Sequence, residues 1–452
     1  MGGVMVTDGK IIESDRLERK GIYIKVWIKF LIAHFGALLW VGVSIVLSLR
    51  WVGELGTIVS VPFAIIIITG IAYIPGYINA FTVMSLLSDK QPKFVTVSPE
   101  EDITIIIACR NEENAIGETL GYIAKQDYEG EIKVIVVDNA STDGTYEESK
   151  RAGENLKLNI TVINENIPGK YNALNRALKY VDTEFVATLD ADTLLHKSSV
   201  RYIVSRMISA PSDVCAVAGS VLVRNSRTSF IAKLQEWDYF LGIASIKRMQ
   251  GLYQGTLVAQ GAFSLYKTEV LKYVGGWPDA IGEDIVLTWK FFENKWRVFY
   301  EPLAVAFTDV PISLKHLARQ RSRWARGMIE ALKAVKPWKQ PLGYIKYLTS
   351  INLIMPYLDI IYTFVLIPGL IIALYGKYHI VGPVTIFVLP LSMIQNFVLY
   401  RYQQYVFKNL GLSIRKNRFG FIVYVLFYQM LMSPISILGY MQEVFFLKRV
   451  WK

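Results

Sequence analysis

Charge and cysteine are both scarce in this 452-residue chain: 19% of positions are Asp, Glu, Lys or Arg, and two are cysteine. Soluble domains carry about 25% charged residues. With 52% hydrophobic residues and a mean hydropathy of +0.32, the composition excludes disorder and argues against a purely soluble globule. Cys109 and Cys215 cannot build a disulfide framework, so nothing points to an oxidising compartment. Gly 32 and Pro 16 are near average, which excludes collagen-like and low-complexity classes, and no internal repeat is evident. Acidic residues are missing from one end. Residues 331–452 hold 13 Lys and Arg against 2 Asp and Glu, whereas the first 330 hold 36 of each, for a net charge of +11. That excess lies beside apolar segments, so membrane topology explains it and nucleic acid is not an expected partner.

Long apolar runs are what the sequence has in abundance. Residues 30–49 contain only His34 as a titratable group, and 56–88 carry no charge; a bilayer core needs about 20 such residues. Three more runs follow at 346–377 (interrupted by Asp359), 378–400, and 419 to about 446 (interrupted by Pro434 and Glu443). A buried soluble helix imitates one such run, hardly five. The charged leader and the absence of a small-residue cleavage pattern exclude a signal peptide. Basic residues in short loops mark the cytoplasmic side. They assign to it the leader (Lys10, Arg16, Arg19, Lys20, Lys25, Lys29), the middle section, and the 401–418 loop with Arg401, Lys408, Arg415, Lys416 and Arg418. Five crossings would strand Lys448, Arg449 and Lys452 outside. Either the last run is re-entrant around Pro434 or part of 341–375 lies in the interface. The expected organisation is a leader with two transmembrane helices (1–89), a cytoplasmic domain (90–335), then an interfacial helix and about three transmembrane helices (336–452), in the cell membrane.

The middle section reads as α/β. The runs 103–108 (ITIIIA), 132–137 (IKVIVV), 185–189 (FVATL) and 214–218 (VCAVA) alternate with helical stretches such as 112–125 and 170–180. Buried strands alternating with helices predict a doubly wound parallel sheet, and such sheets bind ligands outside the carboxyl ends of their strands. Arg110, Asn111 and Glu112 follow the first strand, Asp138 the second, and Asp190-Ala191-Asp192 a later one.

Each polar group has a chemical reading and a bland one. Asp190 and Asp192, at a strand end, suit Mg²⁺ or Mn²⁺, which share their shell with substrate phosphates in many nucleotide-sugar enzymes; alone, D-x-D is also a helix cap. Asp138 in VVDNASTDGT stands in a run that favours turns. Lys170 in PGKYNALNRAL reads equally as a solvated helix-start lysine. Glu283-Asp284 is either a loop acid pair or a source of the base that glycosyl transfer to a hydroxyl needs. Gln320-Arg321-Ser322-Arg323-Trp324 fits a basic helix face at the membrane surface, or guanidinium groups that clamp a departing diphosphate beside an indole that stacks on a sugar.

Taken in order, VVDNASTDGT, GKYNALN, LDADT, GED and QRSRW resemble the membrane-bound family 2 glycosyltransferases, the group that includes cellulose, chitin, hyaluronan and poly-N-acetylglucosamine synthases. The resemblance spans roughly residues 100–330, and the flanking spans fit the hyaluronan and poly-N-acetylglucosamine branches. It implies a GT-A (Rossmann-like) domain inserted between transmembrane helices and an inverting mechanism. Asp138 would contact the nucleotide base or ribose and Lys170 would lie near the donor phosphates, with Arg110 and Glu112 also on the donor side. Asp190 and Asp192 would hold donor and metal, Asp192 the firmer ligand. Asp284 would be the general base with Glu283 beside it. Gln320, Arg323 and Trp324 would bind diphosphate and acceptor. Four departures stand out: Asn139 replaces a second Asp, Gly282 stands where Thr is common, VAQGAF occupies 258–263, and no W-G-T-R occurs in 401–418. The expected activity is extension and export of a β-linked polysaccharide from a UDP-sugar, with UDP-N-acetylglucosamine or UDP-glucose favoured. The alternative is a single transfer to a lipid or polyprenyl-phosphate acceptor. A non-enzymatic reading, in which the domain merely binds nucleotide sugar and gates a transporter, is disfavoured by the intact Asp190, Asp192, Asp284 and Arg323.

Overall fold

The computed structural model describes residues 24–88, 93–382, 385 and 388–447. Lys10, Arg16, Arg19 and Lys20 of the leader, Lys448, Arg449 and Lys452 of the tail, and the 89/90 boundary lie outside the described residues. Strands β1 (Ile103–Cys109), β2 (Ile132–Asp138), β3 (Asn159–Asn164), β4 (Phe185–Asp190), β5 (Leu194–Leu195), β6 (Val214–Val223), β7 (Phe263–Lys267) and β8 (Arg297–Thr308) form one sheet. Their order is β3-β2-β1-β4-β7-β6-β8-β5. β1 to β4 run parallel, which puts Asp138 opposite Cys109 on one side of β1 and Asp190 opposite Ala108 on the other. The near-continuous Ile and Val of β1 and β2 suit this position, because strands covered on both faces do not alternate.

The other half of the sheet departs from the expected doubly wound pattern. β7 pairs antiparallel with β4 and β6, and β6 pairs parallel with β8, so the sheet is mixed. Four strands escaped the sequence pattern for physical reasons, β5 because it is only two residues long. β3 is an edge strand with exposed ends. β7 is only five residues long. β8 contains Pro302, and the register slips between Tyr300 and Val305, as expected where a strand proline lacks its ladder donor. The 112–125 stretch also shortens to a helix at Ile116–Ile123.

Among the described residues, four helices are long and apolar enough to cross a bilayer: Val26–Val59, Val61–Leu87, Gly343–Leu374 and Arg418–Val444. The 378–400 run is not one of them. Its helix spans Val388–Asn409 and takes in Arg401 and Lys408. Among the described residues of the C-terminal region, Gly343–Leu374 and Arg418–Val444 are the two candidates by length and composition.

The last of the four helices is held by the middle domain at both ends. At its start, Asn417 Nδ2 donates to Lys233 O (2.9 Å) and Glu236 Oε2 (2.8 Å), and Trp237 Nε1 donates to Asn417 O (2.9 Å). At its finish, Glu443 takes ion pairs from Arg326 and Lys333 at 2.9 Å each. Tyr428, Ile435, Gly439 and Glu443 are buried on one face, while Phe419, Ile422, Leu438 and Met441 are exposed on another. A helix of 27 residues is about 40 Å long, and one domain holds both of its ends.

Candidate active site

Three neighbouring strand ends gather the first group of residues. Asp138 ends β2, Arg110 follows β1, and Asp190 ends β4. Parallel strands lie about 4.8 Å apart, so Asp138 and Asp190 stand on the order of 10 Å from each other across β1. The loops that follow are stitched together. Asn111 N–H donates to Ser141 Oγ (3.0 Å), Asn111 Oδ1 accepts from Thr142 N–H (2.8 Å), Glu112 N–H donates to Thr145 Oγ1 (2.8 Å), and Asp138 Oδ1 accepts from Ser141 N–H (3.2 Å). Asn111 and Ala140 have φ of +59° and +55°, a conformation most side chains avoid and one that concentrates at functional sites.

Asn139 turns out to face inward. Its side chain is fully buried; Nδ2 donates to Glu165 O (3.0 Å) and Ile167 O (2.8 Å), and Oδ1 accepts from Gly169 N–H (2.8 Å). An aspartate could not make the two donations. The departure at this position thus fixes the loop that delivers Lys170.

Asp192 and Glu112 have no ion pair among the described residues. Asp192 accepts from Thr308 Oγ1 (3.2 Å) and Thr193 Oγ1 (3.3 Å), yet burial, then Asp190 and Asp309, push its pKa up to about 6. Glu112 rises to about 7 through burial and its neighbours Asp192, Asp190 and Asp143. Like charges crowded in a partly desolvated place hold protons until a cation replaces them. Among the described residues, no group of three or more His, Cys, Asp and Glu forms a complete metal cage. A pair of carboxylates with phosphate and water oxygens is the donor set Mg²⁺ or Mn²⁺ accepts.

Lys170 joins this group to the second. Its Nζ lies 2.5 Å from Asp190 Oδ1 and 3.8 Å from Glu283 Oε1. Burial would lower its pKa, but Asp190, Glu283 and Asp284 outweigh that and hold it above the ordinary lysine range. Glu283 and Asp284 open the helix Glu283–Glu293. Burial raises the Glu283 pKa, with Lys170 opposing. Asp284 Oδ1 accepts from Ile285 N–H (2.8 Å) and Oδ2 from Gly261 N–H (3.4 Å). Gly261 is in the VAQGAF segment, and a Cβ there would meet Lys170 Nζ at 2.7 Å. Only glycine leaves the ammonium its place.

Gly282 explains itself in the same way. A Cβ on it would lie 2.8 Å from Cα of Gly327, in the middle of the helix Leu314–Ala334. Glu330 Oε2, from that helix, accepts from Ile281 N–H (2.7 Å) and Gly282 N–H (3.1 Å). GED and QRSRW are therefore clamped backbone to backbone. On the same helix Gln320 Oε1 is buried without a partner, Arg323 is partly buried, and Trp324 is exposed, 6.4 Å from the ring of Tyr239. Burial raises the Tyr239 pKa to about 12, with Asp238, Asp192 and Asp190 adding to the rise and Arg321 opposing it. Lys170 thus links Asp190 to GED, and the Gly282–Gly327 contact links GED to the helix that carries QRSRW. Sequence reasoning missed Glu330, Thr308 and Tyr239; no spacing rule links them to the motifs, because they act through tertiary contact.

Residues 99–327 match a family described as Glycosyltransferase like family 2, half of the chain and every motif above. The chain belongs to glycosyltransferase family 2. It is an enzyme of sugar transfer. This family 2 chain is 33% identical over 280 residues to poly-beta-1,6-N-acetyl-D-glucosamine synthase of Staphylococcus aureus (strain MSSA476), covering 61% of this chain and 67% of the relative. To the synthase of the same name from Staphylococcus epidermidis it is 34% identical over 233 residues, covering 51% and 56%. Among solved structures, a mannosyltransferase from Pyrobaculum calidifontis in complex with GDP-Man and Mn²⁺ is similar with a TM-score of 0.55 at 20% identity, covering 90% of this chain and 100% of that one. The fold is that of a GT-A glycosyltransferase with apolar helices on both sides of the domain.

Proposed function

We propose that this family 2 glycosyltransferase is a processive, inverting synthase that takes UDP-N-acetylglucosamine from the cytoplasm and extends a β-linked polysaccharide at the membrane. The staphylococcal relatives favour N-acetylglucosamine over glucose. The observation that carries the reading is Lys170, whose single ammonium contacts both Asp190 and Glu283. The donor carboxylates and the acid pair thus belong to one site.

Asp138, Arg110 and Glu112 line the nucleotide side, and Gln320 and Trp324 the acceptor side. Asp190 and Asp192 hold a divalent cation, Mn²⁺ or Mg²⁺, which supplies positive charge to the donor diphosphate. Asp284 takes the proton of the acceptor hydroxyl while that oxygen bonds to the anomeric carbon. The bond from this carbon to the diphosphate breaks on the opposite face, inverting its configuration, and UDP leaves against Arg323. Glu283, engaged with Lys170, is the supporting member of the pair.

The contacts also favour one topology. Arg415 Nη1 donates to Arg224 O (3.1 Å) and Gln403 Nε2 to Phe240 O (2.8 Å), so the 410–417 segment lies on the domain's side of the membrane. With 343–374 as a crossing, this reading returns the chain through 388–409, a helix that is not among the four apolar candidates because it takes in Arg401 and Lys408. The last helix, gripped by the domain at both ends, lies in the interface. Four crossings then keep leader, domain, 401–418 loop and the basic tail together in the cytoplasm, as the distribution of Lys and Arg requires.

Purified protein given radiolabelled UDP-N-acetylglucosamine and Mn²⁺ is expected to yield polymer that sizes far above a single sugar. A lipid carrying one sugar would replace the processive reading with single transfer, and labelling from UDP-glucose alone would overturn the donor.

A further inference from the structure

Within QRSRW, Arg321 has no role in the site as argued so far, yet its surroundings are the most organised of the motif. Its Nη2 donates to Asp238 Oδ2 (2.7 Å), and the two side chains are only 10% and 14% exposed. Tyr428, from the last helix, donates its hydroxyl to the same oxygen (2.9 Å). The guanidinium lies over the Trp324 ring at 4.1 Å and over Tyr239 at 5.5 Å. Asp238 opens a π-helical turn, Asp238–Ile243, between the helices Phe230–Trp237 and Ala244–Leu252; such widened turns recur at functional sites. Three helices thus meet on one carboxylate.

A guanidinium is flat, so it can present an edge to a carboxylate and a face to an indole at once, which an ammonium cannot. One face of Trp324 is backed by Arg321, while the residue stays 41% exposed. An aromatic ring kept for packing would be covered; this one is braced and left open. We propose that Arg321 is a positioning residue: anchored on Asp238 and Tyr428, it fixes the Trp324 ring so that its open face receives a sugar ring of the acceptor. The inference rests on the reading of Trp324 as an acceptor contact. It adds a specific link by which the last helix, through Tyr428, sets the geometry of acceptor binding.

The test is a double-mutant cycle on the full-length enzyme, with a soluble β-linked N-acetylglucosamine oligosaccharide as acceptor probe. Arg321→Lys keeps Asp238 paired but removes the flat face. It is expected to raise the acceptor KM roughly two- to tenfold, the range of a cation–π contact, with the donor KM unchanged and the product shortened. Trp324→Leu should have the larger effect on the acceptor KM. Adding Arg321→Lys to Trp324→Leu should then change nothing further, because Arg321 acts through the indole. Independent, multiplying effects, or a donor KM that moves with the acceptor KM, would overturn the inference while leaving Trp324 as an acceptor contact. An acceptor KM untouched by Trp324→Leu would overturn the acceptor reading and the inference together. If Arg321→Lys lowers the melting temperature enough to deplete folded enzyme, Tyr428→Phe, which leaves the ion pair intact, takes its place in the cycle with the same outcomes.

Discussion

The two halves of the site use the same residue types to opposite ends. Where β1, β2 and β4 finish, Asp190, Asp192 and Glu112 crowd together; Lys170 serves only the first at close range, and the other two have raised pKa values. Along the helix Leu314–Ala334 and its neighbours, three largely buried acids are matched. Asp238 has Arg321 and Tyr428, Glu443 has Arg326 and Lys333, and Glu330 has two backbone N–H groups. An unmatched carboxylate costs stability and is kept for a ligand; a matched one holds helices in place. The absence of a close counter-charge therefore sets Asp192 and Glu112 apart from the scaffolding acids.

The comparison breaks most visibly at Asp192. Asp192→Asn keeps the acceptor atom for Thr193 and Thr308 but removes the charge, and is expected to lower transfer on the order of 10³-fold, as loss of several kcal/mol of charge stabilisation would. The melting temperature of the metal-free protein should hold or rise. A fall of several degrees would make Asp192 a scaffolding residue. Next comes Gly327→Ala, whose new Cβ would sit 2.8 Å from Gly282 Cα. Overpacking costs about 1–3 kcal/mol, and turnover should fall with the melting temperature, because the displaced backbone carries Glu283 and Asp284. Glu443→Gln sharpens the other side. It leaves Arg326 without its anion at a cost of about 1–3 kcal/mol, below that of a fully buried pair because Lys333 is 44% exposed. Thermal unfolding should reveal that loss while donor affinity is unchanged.

The smallest effect is a pH dependence. Asp192 titrates near about 6 instead of its ordinary 3.8. The folded, metal-free protein thus holds a proton that the unfolded chain releases, and this contribution to stability falls as pH rises from about 4 to about 6. Glu112, at about 7, extends the same trend. A cation replaces the protons, so the rise in melting temperature on adding Mn²⁺ should be slight near about pH 5 and largest above about pH 7. A rise independent of pH would place the cation elsewhere.

The donor half was the legible half. Short apolar runs ending in Asp138 and Asp190 carry their own address, because buried parallel strands deliver polar residues to one edge. The motifs of the other half were readable as words but not as an assembly. Nothing in the spacing of GED and QRSRW says that Gly282 touches Gly327, or that Glu330 caps the loop between them. Asn139 read only as a departure from the family pattern and is a buried brace. β8 hid behind Pro302, and hydropathy does not register that Asn417 and Glu443, at the two ends of the 419–446 run, touch the same domain.

The most direct test of the division of labour is Asp284→Asn, with donor affinity, melting temperature and turnover measured on one preparation. The side chain keeps its size, and Oδ1 can still accept from Ile285 N–H, but it can no longer take the acceptor's proton. Turnover is predicted to fall by roughly 10²–10⁴-fold, with UDP-sugar affinity and melting temperature nearly unchanged. Donor affinity lost in step with turnover would make Asp284 a donor-site residue and contradict the account.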